Sequence, residues 1–178
     1  ISRMFIEDHD ELFYLMMYNE ALPMPPRPEL SDLEAGVIRG GYCLEAAVGE
    51  GPRINLLGSG TILFEVIEAA SRLRQEGFAV AVYSITSYIE LARDAERASY
   101  SNETSWLSHL FSEPGVPTIA ASDYVRTLPR MIASWVSGPM VALGTDGFGM
   151  SERREALRAH FRIDAPAIAE AARSLVNV

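Results

Sequence analysis

The chain of 178 residues contains no lysine, and its single cysteine is Cys43. Without lysine it has no Schiff-base or phosphate-loop chemistry, and one thiol excludes an internal disulfide and multi-thiolate metal sites. No apolar run approaches the roughly 20 residues that cross a bilayer. Basic residues number 15 against 24 acidic ones, whereas nucleic-acid binding needs a basic face. The sequence therefore predicts neither a nucleic acid nor a membrane as a partner.

Catalytic motifs are also scarce. The three histidines, His9, His109 and His160, are scattered, and neither an H-E-x-x-H metal motif nor a G-x-S-x-G nucleophile elbow occurs. The string Gly58–Thr61 (GSGT) follows a strand-like run, but a dinucleotide fingerprint requires a third glycine where Leu63 stands. We interpret these glycines as a tight turn under a packed helix, with anion binding at the helix start as the alternative. The residues alone define no self-sufficient active site.

The hydrophobic pattern after residue 40 alternates between strand and helix. It predicts strands at 41–48, 54–57, 78–85, 117–121 and 140–143, and helices at 61–75, 88–97, 104–111, 123–136, 151–161 and 165–176. Ser87 and Ser151 are the predicted caps of two helices. Four residues at helical spacing predict a core stripe, with an interface as the alternative: Tyr124, Met131, Ile132 and Trp135. Such alternation indicates a parallel or mixed sheet covered by helices on both faces.

The first 40 residues differ in composition. Leu12–Tyr18 is an unbroken apolar and aromatic run, typical of a strand buried on both faces. The prolines at positions 23–28 disfavour helix, so we predict an extended linker over residues 22–40 and a domain over 41–178. Because a lone strand has no core, we expect residues 1–21 to belong to a preceding domain that has been cut away. Asn19 and Glu20 end that strand and are functional candidates, with turn initiation as the alternative.

The most unusual string is Gly144–Gly149 (GTDGFG), followed by Met150. Its glycines allow left-handed turns, while Asp146 is expected to cap local amides and Phe148 to plug a hydrophobic gap. The string lacks the alternating acidic positions of a calcium loop, and a glycine separates its Asp from its Phe, unlike the kinase signature. A structural turn is favoured, with a catalytic loop as the alternative.

Several strings in order resemble one family, the homodimeric bacterial pyruvate dehydrogenases, the thiamine-dependent decarboxylating components of the pyruvate dehydrogenase complex. They are Asn19-Glu20 with Pro23-Met-Pro, Leu56-Leu-Gly-Ser-Gly60, Tyr83–Asp94 (YSITSYIELARD), Ala120-Ala-Ser-Asp-Tyr124 and Leu143–Gly149. The match resembles that family's C-terminal transketolase-like domain at 41–178, preceded at 1–21 by the terminal strand of its pyrimidine-binding domain. We expect the whole enzyme to be longer than this chain.

The resemblance implies a three-layer α/β sandwich whose five-stranded, mostly parallel sheet has an antiparallel edge strand at 41–48. It implies a cytoplasmic bacterial enzyme that decarboxylates pyruvate on thiamine diphosphate with magnesium and then acetylates the lipoyl group of dihydrolipoyl acetyltransferase. No position matches the family's catalytic, cofactor-binding or metal-binding residues, so none is assigned and the fragment is expected to be inactive alone. Asn19 and Glu20 resemble a strand end that faces the substrate channel.

The resemblance also implies an assembly role, with three partners: a second copy in a homodimer, the upstream domains of the same enzyme, and the acetyltransferase. Gly144, Thr145, Asp146, Gly147, Phe148 and Gly149 are the candidate structural or interface motif. Trp106, Trp135 or parts of Leu12–Tyr18 are expected on the interface. Departures at Met150 and over residues 97–114 leave open a paralogue acting on another 2-oxo acid. A stand-alone regulatory or interaction domain of the same fold is the remaining alternative.

Overall fold

A five-stranded mixed sheet forms the centre of a computed structural model that describes residues 6–7 and 21–176. The strands lie in the order β1-β3-β2-β4-β5, and β1 is antiparallel to β3 while the other neighbours are parallel. Their bounds are β1 Gly41–Glu45, β2 Arg53–Ser59, β3 Ala79–Ile85, β4 Thr118–Ala121 and β5 Met140–Leu143. The mostly parallel sheet with one antiparallel edge strand is therefore confirmed.

Helices cover both faces of this sheet. Their bounds are α1 Leu33–Arg39, α2 Ile62–Gln75, α3 Tyr88–Ser101, α4 Trp106–Leu110, α5 Thr127–Arg130, α6 Arg154–Phe161 and α7 Ala165–Val176, with a 3₁₀ turn at Ala133–Trp135. One core packs α2 and α7 against the sheet, and the second packs α3 and α4 against the opposite face. The predicted three-layer sandwich is confirmed. No helix in the described part of the chain is long and apolar enough to span a membrane.

Strands β2 and β3 read as apolar runs because both of their faces are covered. Side chains alternate along a strand, so Leu56 packs into the core beside α2 and α7 while Leu57 packs into the core beside α3 and α4. Every residue of β3 is buried. The sequence bounds of β5 and α7 agree with the structure, and Ser87 caps α3 as predicted, its Oγ accepting a hydrogen bond from the Glu90 amide at 3.2 Å.

The long helix expected over 123–136 is wrong. The structure instead has the four-residue α5 and a separate 3₁₀ turn. Pro129 has no N–H, and in a longer helix its ring would clash with the carbonyl of Val125 four residues earlier. The expected core stripe is lost with the helix: Ile132 is buried and Trp135 half-buried, but Tyr124 and Met131 are 47% and 41% exposed.

Two further local expectations differ from the structure. Ser151 does not cap α6, because that helix begins at Arg154 with Arg153 as its N-cap. Residues 33–39, expected to be extended, form α1, which ends at Gly40 in the left-handed conformation (φ 108°). The helix lies beyond the last proline of the linker, Pro28, so its backbone is free of the constraint that governs residues 23–28. The expected strand Leu12–Tyr18 lies outside the described residues.

Candidate interaction surface at the carboxyl end of the sheet

The strand order creates a topological switch point between β2 and β4. From β2 the chain passes through α2 to β3 on one side, and from β4 it passes through α5 to β5 on the other. The connections also leave on opposite faces, since α2 packs in one core and Leu128 of α5 in the other. In open α/β sheets, ligands bind in the crevice that such diverging loops create at the carboxyl ends of the strands. This crevice is therefore the candidate functional site.

Two buried serines close the floor of the crevice. Ser59 at the end of β2 donates a hydrogen bond from its Oγ to the Oγ of Ser122, just after β4, at 3.0 Å. The same Ser122 Oγ accepts the backbone N–H of Tyr124 at 3.1 Å. Each hydroxyl thus has a partner inside the protein, and the capacity that remains at the floor is the Ser122 proton and the lone pairs of Ser59.

An arginine from α6 fills the side of the crevice. Arg158 donates from Nη1 to Glu65 Oε1 at 2.8 Å and from Nη2 to Thr61 Oγ1 at 3.1 Å. The second oxygen of Glu65 accepts the N–H of Ala165 at the start of α7, at 2.9 Å. The Arg158 and Glu65 side chains are only 15% and 22% exposed. These four residues, the Glu65 network, connect α2, α6 and α7. The positive charge of Arg158, which a bound anion would need, is already paired with Glu65.

A small cavity of about 180 Å³ remains beside the Glu65 network. Asp123, which follows β4, lines it together with Thr145, Arg154 and Arg158. Burial raises the pKa of the Asp123 carboxyl above its ordinary value, and the charge of Arg158 opposes that shift. Beside the Glu65 network the polar groups largely satisfy one another, as in a structural junction, whereas a wider cavity of about 470 Å³ opens at the carboxyl ends of β2 and β3.

The Gly144–Gly149 loop packs against the loop that follows β4. A Cβ on Gly144 would lie 2.5 Å from the carbonyl oxygen of Tyr124, so only glycine fits there. The Thr145 N–H donates to that same Tyr124 oxygen at 2.9 Å. Asp146 accepts hydrogen bonds from the amide and the Nε of Arg126 at 2.8 and 2.6 Å, and these contacts lower the pKa of its carboxyl. The first half of the loop is therefore held firmly in place.

The second half of the loop points apolar groups into solvent. The expectation that Phe148 fills a hydrophobic gap is wrong, because its side chain is 96% exposed. Met150, Val125 and Tyr124 are exposed by 54%, 52% and 47%. We call these four side chains the carboxyl-end patch, since all belong to the loops that follow β4 and β5. The two loops contact each other at Gly144 and Asp146, and large exposed apolar side chains on neighbouring loops are typical of interaction sites on protein surfaces.

The expectation of an interface position is wrong for Trp106 and stays a prediction for Trp135. Trp106 is buried, and its Nε1 donates to the carbonyl oxygen of Gly41 at 2.8 Å, so it supports the domain from inside. Trp135 is half-buried against the second core. The Arg39 guanidinium lies 5.4 Å from the centre of the Trp106 ring. Asn19, Glu20 and the segment Leu12–Tyr18 lie outside the described residues.

No local pattern in the sequence indicates the Glu65 network. Glu65 and Arg158 are 93 positions apart, and Glu65 lies among charged residues on what reads as the solvent side of α2. A capping pattern is also absent, because Glu65 caps α7 from a different helix. The exposure of Phe148 is also not indicated by the sequence, because an aromatic residue between two glycines is expected to pack inside the protein.

The chain is similar to proteins of one family over most of its length. Residues 40–164 match the family model of the transketolase-like TK C-terminal domain. The pyruvate dehydrogenase E1 component of Escherichia coli is 36% identical over 185 residues, which cover 97% of this chain and 20% of that protein. The same component of Cupriavidus necator is 39% identical over 176 residues, covering 92% of this chain and 19% of that protein. The chain thus spans about a fifth of the length of these curated relatives.

Solved structures share the fold. Transketolase from Leishmania mexicana superimposes with a TM-score of 0.58 at 23% sequence identity. The superposition covers 80% of this chain and 19% of the transketolase chain. At that identity, the likeness concerns the architecture of the sheet and its helices.

Proposed function

The chain belongs to the transketolase-like TK C-terminal domain family, and on that basis we propose that it acts as the C-terminal domain of a bacterial pyruvate dehydrogenase (acetyl-transferring) E1 component. The whole enzyme decarboxylates pyruvate on thiamine diphosphate and acetylates the lipoyl group of dihydrolipoyl acetyltransferase in the cytoplasm. Residues 41–178 serve assembly in it, residues 22–40 link them to an upstream domain, and residues 1–21 complete that domain. Asn19 and Glu20 then face the substrate channel.

Thiamine diphosphate with Mg²⁺ does not fit the described residues. Mg²⁺ is held by converging oxygen ligands, and in residues 6–7 and 21–176 no three His, Cys, Asp or Glu side chains converge as a metal site. At the switch-point crevice, Arg158 is engaged by Glu65 and Thr61 rather than presented to a diphosphate. In this proposal the cofactor chemistry belongs to other parts of the enzyme.

The isolated 178-residue chain is expected to release no CO₂ from pyruvate when thiamine diphosphate and MgCl₂ are supplied. The physical reason is that the described residues offer no metal-ligand set and that Arg158 in the crevice is already engaged by Glu65. Release of CO₂ is measured with carboxyl-labelled pyruvate, with the complete E1 component of Escherichia coli as the positive control. Turnover above a protein-free blank, by a preparation shown to be folded, would refute the assignment.

The observation that supports an assembly role is the carboxyl-end patch, which Phe148 dominates. The loop that carries Phe148 is anchored two residues earlier by the Asp146–Arg126 contacts, so its apolar side chain is presented from a held backbone. A preorganised apolar group loses less conformational entropy on binding than one on a free loop. The occupant we propose for the patch is the same domain of a second subunit. The acetyltransferase is the further partner proposed for the whole enzyme.

The double substitution Phe148→Ser with Met150→Ser is expected to weaken self-association about tenfold, close to 1.4 kcal/mol. Thermal stability stays unchanged, because both side chains are largely exposed in the monomer. Sedimentation equilibrium measures the dissociation constant. The matched control is Val48→Ser with Tyr100→Ser, which removes side chains 80% and 84% exposed away from the patch. Equal dissociation constants for the two double variants, or a wild-type chain that stays monomeric at its highest soluble concentration, would contradict docking through this patch.

A further inference from the structure

A second cavity lies at the opposite, amino end of the parallel strands. Its volume is about 280 Å³, and it is bounded by the starts of β2 and β3, the end of β1, and the chain that joins α4 to β4. The walls include the small side chains of Ala47 and Ala81 and the ring of Phe111. The cavity exists because β3 carries alanine where larger residues would fill the space. Its size matches a single small ring rather than a cofactor.

A buried amide with no protein partner faces this cavity. Asn55 lies on β2, near the middle of the sheet, and is only 8% exposed. Its side chain makes no hydrogen bond to any residue in the described part of the chain. Its backbone is satisfied, since the N–H donates to the carbonyl oxygen of Pro117 at 2.9 Å. Buried amides are normally paired with protein or with water, so this amide is left to water in the cavity or to a ligand that displaces the water.

Tyr83 supplies a second polar group to the same cavity. Its hydroxyl donates to the Leu110 carbonyl oxygen at 3.2 Å, and its ring packs on Phe111 with centroids 4.9 Å apart. Burial raises the pKa of Tyr83 to about 12, so the hydroxyl keeps its proton near neutral pH. The donor is used within the protein, whereas the oxygen still has lone pairs that can accept a hydrogen bond.

The cavity has no net charge among its described lining residues. Arg53 and Glu113 pair with each other at its edge, so their charges compensate. Burial raises the pKa of the Cys43 thiol, which therefore remains protonated and uncharged. An ionised ligand would lose its hydration without gaining a counter-charge here. The environment favours an uncharged molecule.

We propose that this cavity binds a small uncharged ring that carries a neighbouring hydrogen-bond donor and acceptor, as in an aromatic carboxamide or a lactam. The Asn55 carboxamide is itself a donor–acceptor pair, and it binds such an edge through two parallel hydrogen bonds. Asparagine pairs with the N6/N7 edge of adenine in the same way. The ring packs between Phe111 and the alanine methyl groups. This site does not depend on the proposed assembly role.

Nicotinamide is the probe for this proposal, and nicotinate, its carboxylate analogue, is the matched control ligand. We expect nicotinamide to shift the amide NMR signals of Asn55, Ala81 and Phe111 in a saturable titration of the 178-residue chain. Nicotinate should bind at least tenfold more weakly, because its charge has no partner in the cavity. Shifts that map elsewhere, no saturable shift, or equal affinity for the two ligands would overturn the proposal.

Two cavity variants separate binding from folding. Asn55→Leu should reduce nicotinamide affinity at least tenfold without lowering the thermal midpoint, since leucine replaces an unpaired amide with an apolar group of similar size. Ala47→Leu should have the same effect on affinity by filling the cavity from its rim. Ala159→Leu, an exposed position on α6, is the control and should bind as the wild type does. If Ala47→Leu binds nicotinamide with wild-type affinity, nicotinamide does not bind in this cavity and the proposal is refuted. This test holds even if Asn55→Leu does not fold.

Discussion

Glu65→Ala is expected to lower the free energy of unfolding by about 3 kcal/mol, because it leaves the largely buried Arg158 without its counter-charge. It also removes the acceptor for the Ala165 N–H, so the first turn of α7 loses a cap. The helix most affected is therefore α7, which packs against α2 and completes one of the two cores. Urea unfolding monitored by circular dichroism measures the change.

The matched control for Glu65→Ala lies one turn further along the same helix. Glu68 pairs with Arg72 at 3.0 Å, but the two side chains are 56% and 44% exposed. An exposed pair of this kind contributes about 0.5 kcal/mol or less, so Glu68→Ala should change stability little. A double-mutant cycle of Glu65→Ala with Arg158→Ala should also show a coupling energy well above that value. Similar losses for the two single glutamate variants would show that burial of the Glu65 network does not matter.

Gly58→Ala is expected to lower the free energy of unfolding by about 2 kcal/mol, and Gly58→Val by more, because α2 crosses directly over this glycine. A Cβ built on Gly58 would lie 2.8 Å from the Leu63 Cα and 3.1 Å from Val66 Cγ2. The first neighbour is a backbone atom, so α2 itself would have to move. For a chain of this size, the loss corresponds to a fall in the thermal midpoint of about 4–8 °C. Differential scanning calorimetry provides the measurement.

Gly149→Ala is the matched control for Gly58→Ala. No heavy atom lies within 4 Å of a Cβ built on Gly149, and its φ is outside the left-handed region. Its effect on stability should stay within about 0.5 kcal/mol. If Gly58→Ala proved equally neutral, α2 would not rest on β2 as closely as the structure shows.

Gly58 and Glu65 both determine the position of α2. The close contact at Gly58 sets the height of α2 above the sheet, and Glu65 projects from the first turn of that helix toward α6 and α7. A shift of α2 would therefore disturb the Glu65 network and the crevice at the carboxyl end of the sheet. Stability and the shape of the proposed docking surface depend on the same packing.

Sequence periodicity was sufficient wherever local chemistry decides the structure. The strand at Met140–Leu143 and the helix at Ala165–Val176 have the bounds that their apolar spacing indicates. Ser87 caps α3 because a serine hydroxyl three residues before an amide can reach it without help from the rest of the fold. The expected helix over 123–136 is wrong because Pro129 interrupts the stripe of apolar residues at helical spacing. The position of the antiparallel edge strand came from the resemblance, since strand order depends on contacts between distant segments.

The amino-acid order by itself determined the alternation of strands and helices, the absence of a lysine-based or multi-thiolate chemistry, and the family resemblance. Those features are local, because periodicity, composition and short motifs depend only on residues that are close together along the chain. Only the tertiary structure decided that Arg158 meets Glu65, that Asn55 is buried without a partner, and that Phe148 faces solvent. Each of these depends on which distant segments approach one another, and hydrogen-bond satisfaction and exposure are properties of that three-dimensional proximity.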